Sequence, residues 1–192
     1  MKRLQISPGF PASMLFLAWL NLNLCQWVLI GILCHELGHL LVLRLCRVPV
    51  LAVRFQAWGI VLVTEETSYL KELLCALAGP AASVLLGLVL FRTYSHCAVV
   101  SFVLGVVNLL PLYPLDGGRI LRCLLMMLLK PDTADRLLKA ITVVTCCGLM
   151  LLACWVSILW QAGLWPIFAA LLLLCRVGER SLQVLFAPRG KI

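Results

Sequence analysis

The sequence predicts an all-α polytopic membrane protein with six transmembrane helices and a small membrane-associated β-hairpin between the second and third helices. Hydrophobic residues make up 63% of the 192 residues and charged residues only 12%. The mean hydropathy of +1.06 is far above that of a soluble domain. Apolar runs long enough to cross a bilayer recur along the chain. No repeat or shift in composition divides it, so we expect one domain over residues 1–192. The predicted spans cover approximately residues 8–22, 24–45, 69–91, 98–112, 137–160 and 164–177.

The segment between the second and third spans has a different pattern. Residues 50–55 and 60–63 are rich in β-branched side chains and are too short to cross a bilayer. The sequence Gln-Ala-Trp-Gly at 56–59 suits a turn between them. This pattern predicts a β-hairpin at the membrane surface or within its edge. The acidic pair at 65–66 then indicates a return to water.

The later spans are bounded by small residues, polar loops and helix breakers. The segment 78–83 consists of small residues and proline, which allows a neighbouring helix to approach closely. We expect a polar loop at 92–97. Two prolines and two glycines interrupt the chain within 108–118, so the fourth span is expected to end there. A helix can resume over 119–129, and the residues 130–135 predict a polar turn.

Positive charge is distributed asymmetrically along the predicted topology. The chain has 16 Lys and Arg residues, and only Arg92 falls in a loop that six spans would place outside. Cytoplasmic loops carry an excess of Lys and Arg, so both termini are predicted to be cytoplasmic. The net charge of +8 therefore indicates orientation in a cell membrane, and we expect no nucleic-acid partner.

The ten cysteines lie mostly inside apolar runs, and no Cys-x-x-Cys pair occurs. Such positions do not favour a disulfide framework, so we interpret the cysteines as small packing residues. Cys97 is the last residue of the predicted outer loop and is expected to be accessible from outside the cell.

The second span contains the pattern H-E-x-x-H at residues 35–39. On a helix, His35 and His39 lie one turn apart and point the same way, so both imidazoles can bind one Zn²⁺. Glu36 beside them can accept a proton from water. Polar groups are costly inside a bilayer, which favours a functional role for all three. The alternative is a pair of histidines bonded to neighbouring helices, with Glu36 as an ion-pair partner.

A catalytic zinc usually has three protein ligands, and two residues compete for the third position. His96 is the remaining histidine, but the predicted topology places it in an outward loop. Asp116 follows the inward-running fourth span and is predicted at a depth similar to that of the two motif histidines. Broken backbone within a membrane is tolerated only where it is buried or lines a water-filled cavity, which suits a hydrolytic site. Alternatively, Asp116 caps the helix that begins after it.

The spans contain two further features that bear on the site. Asn108 could hydrogen-bond a substrate backbone, or it could be an asparagine that packs between helices. Gly79 and Pro80 are interpreted as helix-packing residues.

The two motifs together carry a resemblance to a known family. The pattern His35-Glu36-Leu-Gly-His39, followed by Asn108-Leu-Leu-Pro and Pro-Leu-Asp116-Gly-Gly, resembles the site-2 protease family of intramembrane zinc metalloproteases. The Ala-Gly-Pro element at 78–80 is also similar, and the likeness is strongest to the branch of stage IV sporulation protein FB. Many members have Asn where this chain has Ser83, which leaves the role of that position open. That branch usually carries a cytoplasmic CBS domain, which we do not expect here.

The resemblance implies hydrolysis of a peptide bond within the membrane. It implies one Zn²⁺ per chain bound by His35, His39 and Asp116, with Glu36 as the general base. The partners would be the bilayer, membrane-protein regulators and a membrane-associated protein substrate cut near the cytoplasmic face, such as a sporulation sigma-factor precursor. The alternatives are an anti-sigma factor or a signal-peptide remnant as substrate, or a homologue that binds membrane segments without cutting them. A metal-binding transporter is disfavoured, because its polar residues would be spread over several spans.

Overall fold

The structure is a computed structural model, and it describes residues 3–56, 59–65, 67–159, 161, 163–171 and 173–175. The chain divides into two compact units, residues 1–109 and 110–192. Parts of the predicted turn at 56–59, Glu66, the C-terminal ends of the fifth and sixth predicted spans and the basic tail lie outside the described residues.

The N-terminal unit begins with strand β1 (Arg3–Ile6) and two consecutive helices, α1 (Gly9–Leu20) and α2 (Leu22–Leu45). Asn21 separates the helices, and its side-chain oxygen accepts a hydrogen bond from the Leu24 N–H at 3.0 Å, which caps α2. At the other end, Arg47 adopts a φ of 56°, and the Val48 N–H donates to the Leu43 carbonyl at 2.9 Å. This pattern is a Schellman-type C-cap with arginine in the position that glycine usually takes.

A small sheet follows α2. Strands β2 (Val50–Gln56) and β3 (Gly59–Thr64) pair antiparallel, as the hairpin prediction requires. β1 pairs parallel with β2, so the strand order is β1-β2-β3 and β3 forms one edge. The prediction treated the N-terminal residues as a short basic segment and missed β1. Four residues carry too little pattern to predict a strand, and this one depends on β2, nearly 50 residues further along the chain.

Two more helices complete the N-terminal unit, α3 (Tyr69–Leu90) and α4 (Ser95–Asn108). Helix α3 packs closely on α2, since a Cβ at Gly38 of α2 would lie 2.6 Å from the Ala78 carbonyl oxygen of α3. Likewise a Cβ at Gly87 of α3 would lie 2.9 Å from the Phe102 ring of α4. Glycine therefore lets the α3 backbone approach α2 at Gly38 and makes room for the Phe102 ring of α4 at Gly87.

The C-terminal unit contains the predicted break and two helices, α5 (Asp116–Leu128) and α6 (Pro131–Leu159). Residues 109–115 are irregular and include a cis peptide bond between Tyr113 and Pro114. Leu112 and Leu115 are buried in an apolar cluster against Cys146 and Leu149 of α6.

Three described helices, α2, α3 and α6, are long and apolar enough to cross a membrane. They correspond to the second, third and fifth predicted spans. The other predicted spans correspond to shorter helices: α1, α4 and an apolar helix over Trp165–Cys175. Helix α1 has 12 residues, which span about 18 Å against a hydrocarbon core of about 30 Å. The chain is a membrane protein by composition, and the count of six spans stays a prediction.

Two predicted loops are wrong in part. Helix α4 begins at Ser95, so Cys97 lies in a helix and is fully buried, not accessible as predicted. Helix α6 begins at Pro131, which places most of the predicted polar turn in its first turn. Proline is favoured at a first helical position, and Asp132 suits the positive end of the helix dipole.

Candidate metal centre

The motif histidines lie on one face of α2 and meet at their ring nitrogens. His35 and His39 are 5% and 6% exposed, and their Nε2 atoms are 3.2 Å apart. The two rings are nearly perpendicular, at 83°, with centroids 4.8 Å apart. The i,i+4 spacing brings them together along the helix, as expected from the sequence.

Glycine residues make room for this pair. Gly38 on α2 lets the backbone of α3 approach, and Gly79 on α3 lies directly against both imidazoles. A Cβ at Gly79 would overlap His39 Nε2 and lie 2.7 Å from His35 Nε2. The sequence predicts Gly79 to be a helix-packing residue. It does pack there, and the surface it packs against is the pair of candidate metal ligands.

The remaining ring nitrogens are hydrogen-bonded to α3. The His39 Nδ1–H donates to the Cys75 carbonyl oxygen at 2.7 Å, and His35 Nδ1 lies 2.9 Å from Ser83 Oγ. A carbonyl oxygen can only accept, so His39 carries its proton on Nδ1 and leaves the Nε2 lone pair as the donor. A hydrogen bond to the second ring nitrogen is the usual arrangement for a histidine that binds a metal ion.

The geometry of the pair fits zinc. Two nitrogens that bind a tetrahedral Zn²⁺ at 2.0–2.1 Å are about 3.3 Å apart, close to the 3.2 Å found here. Neutral imidazoles are among the usual zinc ligands, and their burial keeps competing bulk water away. The histidine pair therefore supplies two donors of a metal site.

Glu36 follows His35 on α2 and is partly buried. One residue along a helix turns the side chain by about 100°, so Glu36 does not share the face on which the two imidazoles meet. It lies beside the pair without belonging to it, which suits a group that acts on water near the metal.

Asp116 is the first residue of α5 in the C-terminal unit, where its side chain is buried, at 7% exposure. Its Oδ1 lies 3.6 Å from Arg119 Nη1, one turn further along α5. A carboxylate has two oxygens with several lone pairs, so this ion pair is compatible with metal binding. Gly118 packs against the backbone of Leu112 and Tyr113, which holds the start of α5 close to the irregular segment.

Asn108 and His96, the two other candidate site residues, lie on α4. Asn108 ends α4, and its Nδ2–H donates to the Leu104 carbonyl oxygen at 2.9 Å within the same helix. His96 lies exposed in the first turn of α4. Nothing in the described N-terminal unit brings His96 to the motif histidines.

Sequence reasoning missed the face of α3 that holds the imidazoles. Cys75, Gly79 and Ser83 follow one another at intervals of four, so they form one stripe along α3. The spacing repeats that of the histidines on α2, which is a signal that could have been read. Recognising that signal requires knowing that α3 packs against α2 at the level of the histidines.

Comparison with known proteins gives consistent matches. Residues 90–152 match the family model described as Peptidase family M50, a segment that includes Asn108 and Asp116. A curated zinc metalloprotease from Methanocaldococcus jannaschii is 29% identical over 109 residues, which cover 50% of this chain and 32% of that protein. The chain therefore spans about a third of that relative's length. A solved site-2 protease from the same organism matches with a TM-score of 0.65 and 20% identity, over 92% of this chain and 89% of the other.

The fold of the chain is that of a site-2 protease. The family model, the curated relative and the solved structure all describe proteases of the site-2 (M50) kind, so these are the proteins that the chain resembles.

Proposed function

We propose that the chain is an intramembrane zinc metalloprotease that hydrolyses a peptide bond of a membrane-associated protein near the cytoplasmic face. The observation that carries this proposal is the buried histidine pair, with Nε2 atoms 3.2 Å apart and both Nδ1 atoms hydrogen-bonded on α3. The likeness to a zinc metalloprotease and a site-2 protease supports the same conclusion.

The proposed ligands of one Zn²⁺ per chain are His35, His39 and Asp116. All three are buried, and each offers one ligand atom. Two imidazoles and one carboxylate are a usual donor set for catalytic zinc, and they leave a coordination position for water or substrate. When bound, zinc supplies Lewis acidity that makes water more acidic and polarises the scissile carbonyl.

Glu36 is the proposed general base. Its carboxylate takes a proton from the attacking water and later gives a proton to the nitrogen of the departing amine. Its place next to His35, off the face on which the imidazoles meet, is consistent with a base that does not bind the metal.

Asn108 is proposed to contact the substrate main chain. One amide hydrogen already bonds to Leu104, and the Asn side chain has a second N–H and a carbonyl oxygen in its amide group. These groups complement the C=O and N–H of a peptide. The competing role, a helix-end asparagine that stabilises α4, is supported by the same Leu104 contact.

The excess of Lys and Arg on one side of the predicted topology supports an orientation with both termini in the cytoplasm. In that orientation the C-terminal half of α2, which carries the histidines, lies in the cytoplasmic half of the membrane. A substrate cut near the cytoplasmic boundary then needs little displacement to reach the site. We propose that the substrate adds as an extended strand to the edge formed by β3.

Because the sequence resembles the sporulation branch, we propose a sigma-factor precursor as the first substrate to test. A single-span anti-sigma factor and a signal-peptide remnant are the alternatives within the same enzyme class, and membrane-protein regulators are proposed partners. Co-expression with one candidate of each kind, followed by mapping of the new terminus, distinguishes the three.

The decisive experiment compares the wild-type protein with Glu36→Gln. The variant should keep about one zinc per chain, because Glu36 is not a proposed ligand, and should lose cleavage by about 10²-fold or more, the usual contribution of a general base. Metal analysis and the cleavage assay are made on the same preparation. Wild-type activity in the variant, or a wild-type protein without zinc, would overturn the proposal.

A further inference from the structure

The two imidazoles are held by α3 in chemically different ways. His39 is bonded to a backbone carbonyl, that of Cys75, which every residue at position 75 would provide. His35 is bonded to a side-chain hydroxyl, that of Ser83. Of these two hydrogen bonds, only the one to His35 depends on the identity of the residue on α3 that makes it.

Ser83 lies at a buried, closely packed position on α3. Its side chain is fully buried, and the position that a Cβ of Gly105 would occupy is 3.3 Å from Ser83 Cβ, so α4 passes close behind it. Ser83 is itself fully buried, and a buried N–H that loses its hydrogen bond is costly. Loss of the hydroxyl would remove the hydrogen bond that His35 Nδ1 makes to α3 and weaken the hold on its ring.

We propose that Ser83 is a positioning residue for His35: its Oγ accepts the Nδ1–H, which orients the ring and keeps the Nε2 lone pair directed at the metal. Ser83 thereby sets the zinc affinity of the site. This inference rests on the proposed function, since it assumes that His35 binds zinc through Nε2. It assigns a role to the position that the family resemblance left open.

A matched control lies on the neighbouring helix. Ser101 on α4 is also fully buried, and its Oγ has no hydrogen-bond partner within the described residues. Replacing either serine with alanine removes one buried hydroxyl, but of the two hydroxyls only that of Ser83 is hydrogen-bonded to a histidine. A general effect of losing a buried hydroxyl would therefore appear in both variants.

The experiment measures the zinc dissociation constant of the full chain in detergent by chelator competition. Ser83→Ala should weaken zinc binding by about 10- to 100-fold, the usual effect of losing a partner of a metal-binding histidine, and Ser101→Ala by less than about threefold. The visible spectrum of the Co²⁺-loaded protein should change in Ser83→Ala and not in Ser101→Ala. Threonine and valine have nearly the same shape, and only threonine has a hydroxyl. If Ser83→Thr binds zinc more tightly than Ser83→Val, the difference is due to the hydroxyl.

The outcomes separate this inference from the proposed function. A wild-type protein that binds one zinc and cleaves, with Ser83→Ala unchanged in affinity and Co²⁺ spectrum, overturns the role of Ser83 alone. Equal losses in Ser83→Ala and Ser101→Ala also overturn it, because the effect would then not depend on His35. A wild-type protein that binds no zinc overturns both.

Discussion

Gly79 is the single residue with the strictest steric requirement near the histidines. A side chain of any size at this position would have to enter the space of the His39 ring. Helix α3 can lie this close to α2, with two imidazoles between them, only if position 79 has no Cβ. The same feature that packs the helices therefore shapes the candidate site.

We predict that Gly79→Ala displaces an imidazole and weakens zinc binding. Overpacking of this kind costs about 1–3 kcal/mol, which is enough to lose most of the bound metal at limiting zinc. Gly148→Ala on α6 is the control, because a Cβ there meets nothing within 4 Å. Metal analysis after dialysis against a fixed free zinc concentration checks both variants. Equal zinc content in the two would contradict the steric account.

The third ligand can be tested at the residue scale. Asp116→Ala should lower zinc affinity by more than about 100-fold, since it removes a proposed ligand and not merely a partner of one. His96→Ala should leave both zinc and activity unchanged, because His96 is exposed at the start of α4. Zinc loss in the His96 variant with none in the Asp116 variant would reverse the assignment.

Among the elements, the sheet is the one through which a substrate could be held. β2 is paired on both sides, with β1 and β3, so the available main-chain groups belong to the edge strands. An extended peptide added to an edge is held by main-chain hydrogen bonds and needs little side-chain specificity. This arrangement suits the proposed protease activity, which requires an unwound segment to be held.

We predict that proline at Val61 or Val63 on β3 reduces cleavage strongly while zinc stays bound. Proline removes a backbone N–H and distorts β3, the edge strand to which the peptide would add. Gln5→Pro on β1, at the opposite edge of the same sheet, is the matched control and should retain cleavage. The cleavage rate with a sigma-factor precursor and the zinc content are measured for all three. Full activity in both β3 variants would exclude strand addition at this edge.

At the scale of the whole molecule, the distribution of charge predicts how the chain lies in the membrane. The structure changes which residues can report this orientation. Cys97 is fully buried and cannot serve as an external label, whereas Tyr94, three residues earlier, is 52% exposed. Asp132 is exposed in the first turn of α6.

We predict that Tyr94→Cys reacts with a membrane-impermeant thiol reagent added to intact cells. Asp132→Cys should react only after the membrane is opened. The parent protein, which has ten cysteines of its own, gives the background. Labelling of position 132 from outside, with none at position 94, would invert the topology.

Much of the fold could be predicted because it depends on local patterns. Helix α2, helix α3 and the β2–β3 hairpin follow from long apolar runs and from short β-branched segments around a turn signal. The break before Asp116 follows from its prolines and glycines. The sequence predicts the starts of α4 and α6 later than Ser95 and Pro131, because polar residues in the first turn of a helix resemble a loop in sequence.

The sequence by itself determined the membrane class and the donors of the candidate site, since a histidine pair at i,i+4 is a property of one helix. Only the tertiary structure decided how those histidines are held. The partners of His35 and His39 lie 48 and 36 residues further along the chain, and no local pattern encodes that separation. The clearance at Gly79, the burial of Cys97 and the addition of β1 to the sheet have the same origin. Each depends on which helix or strand packs against which.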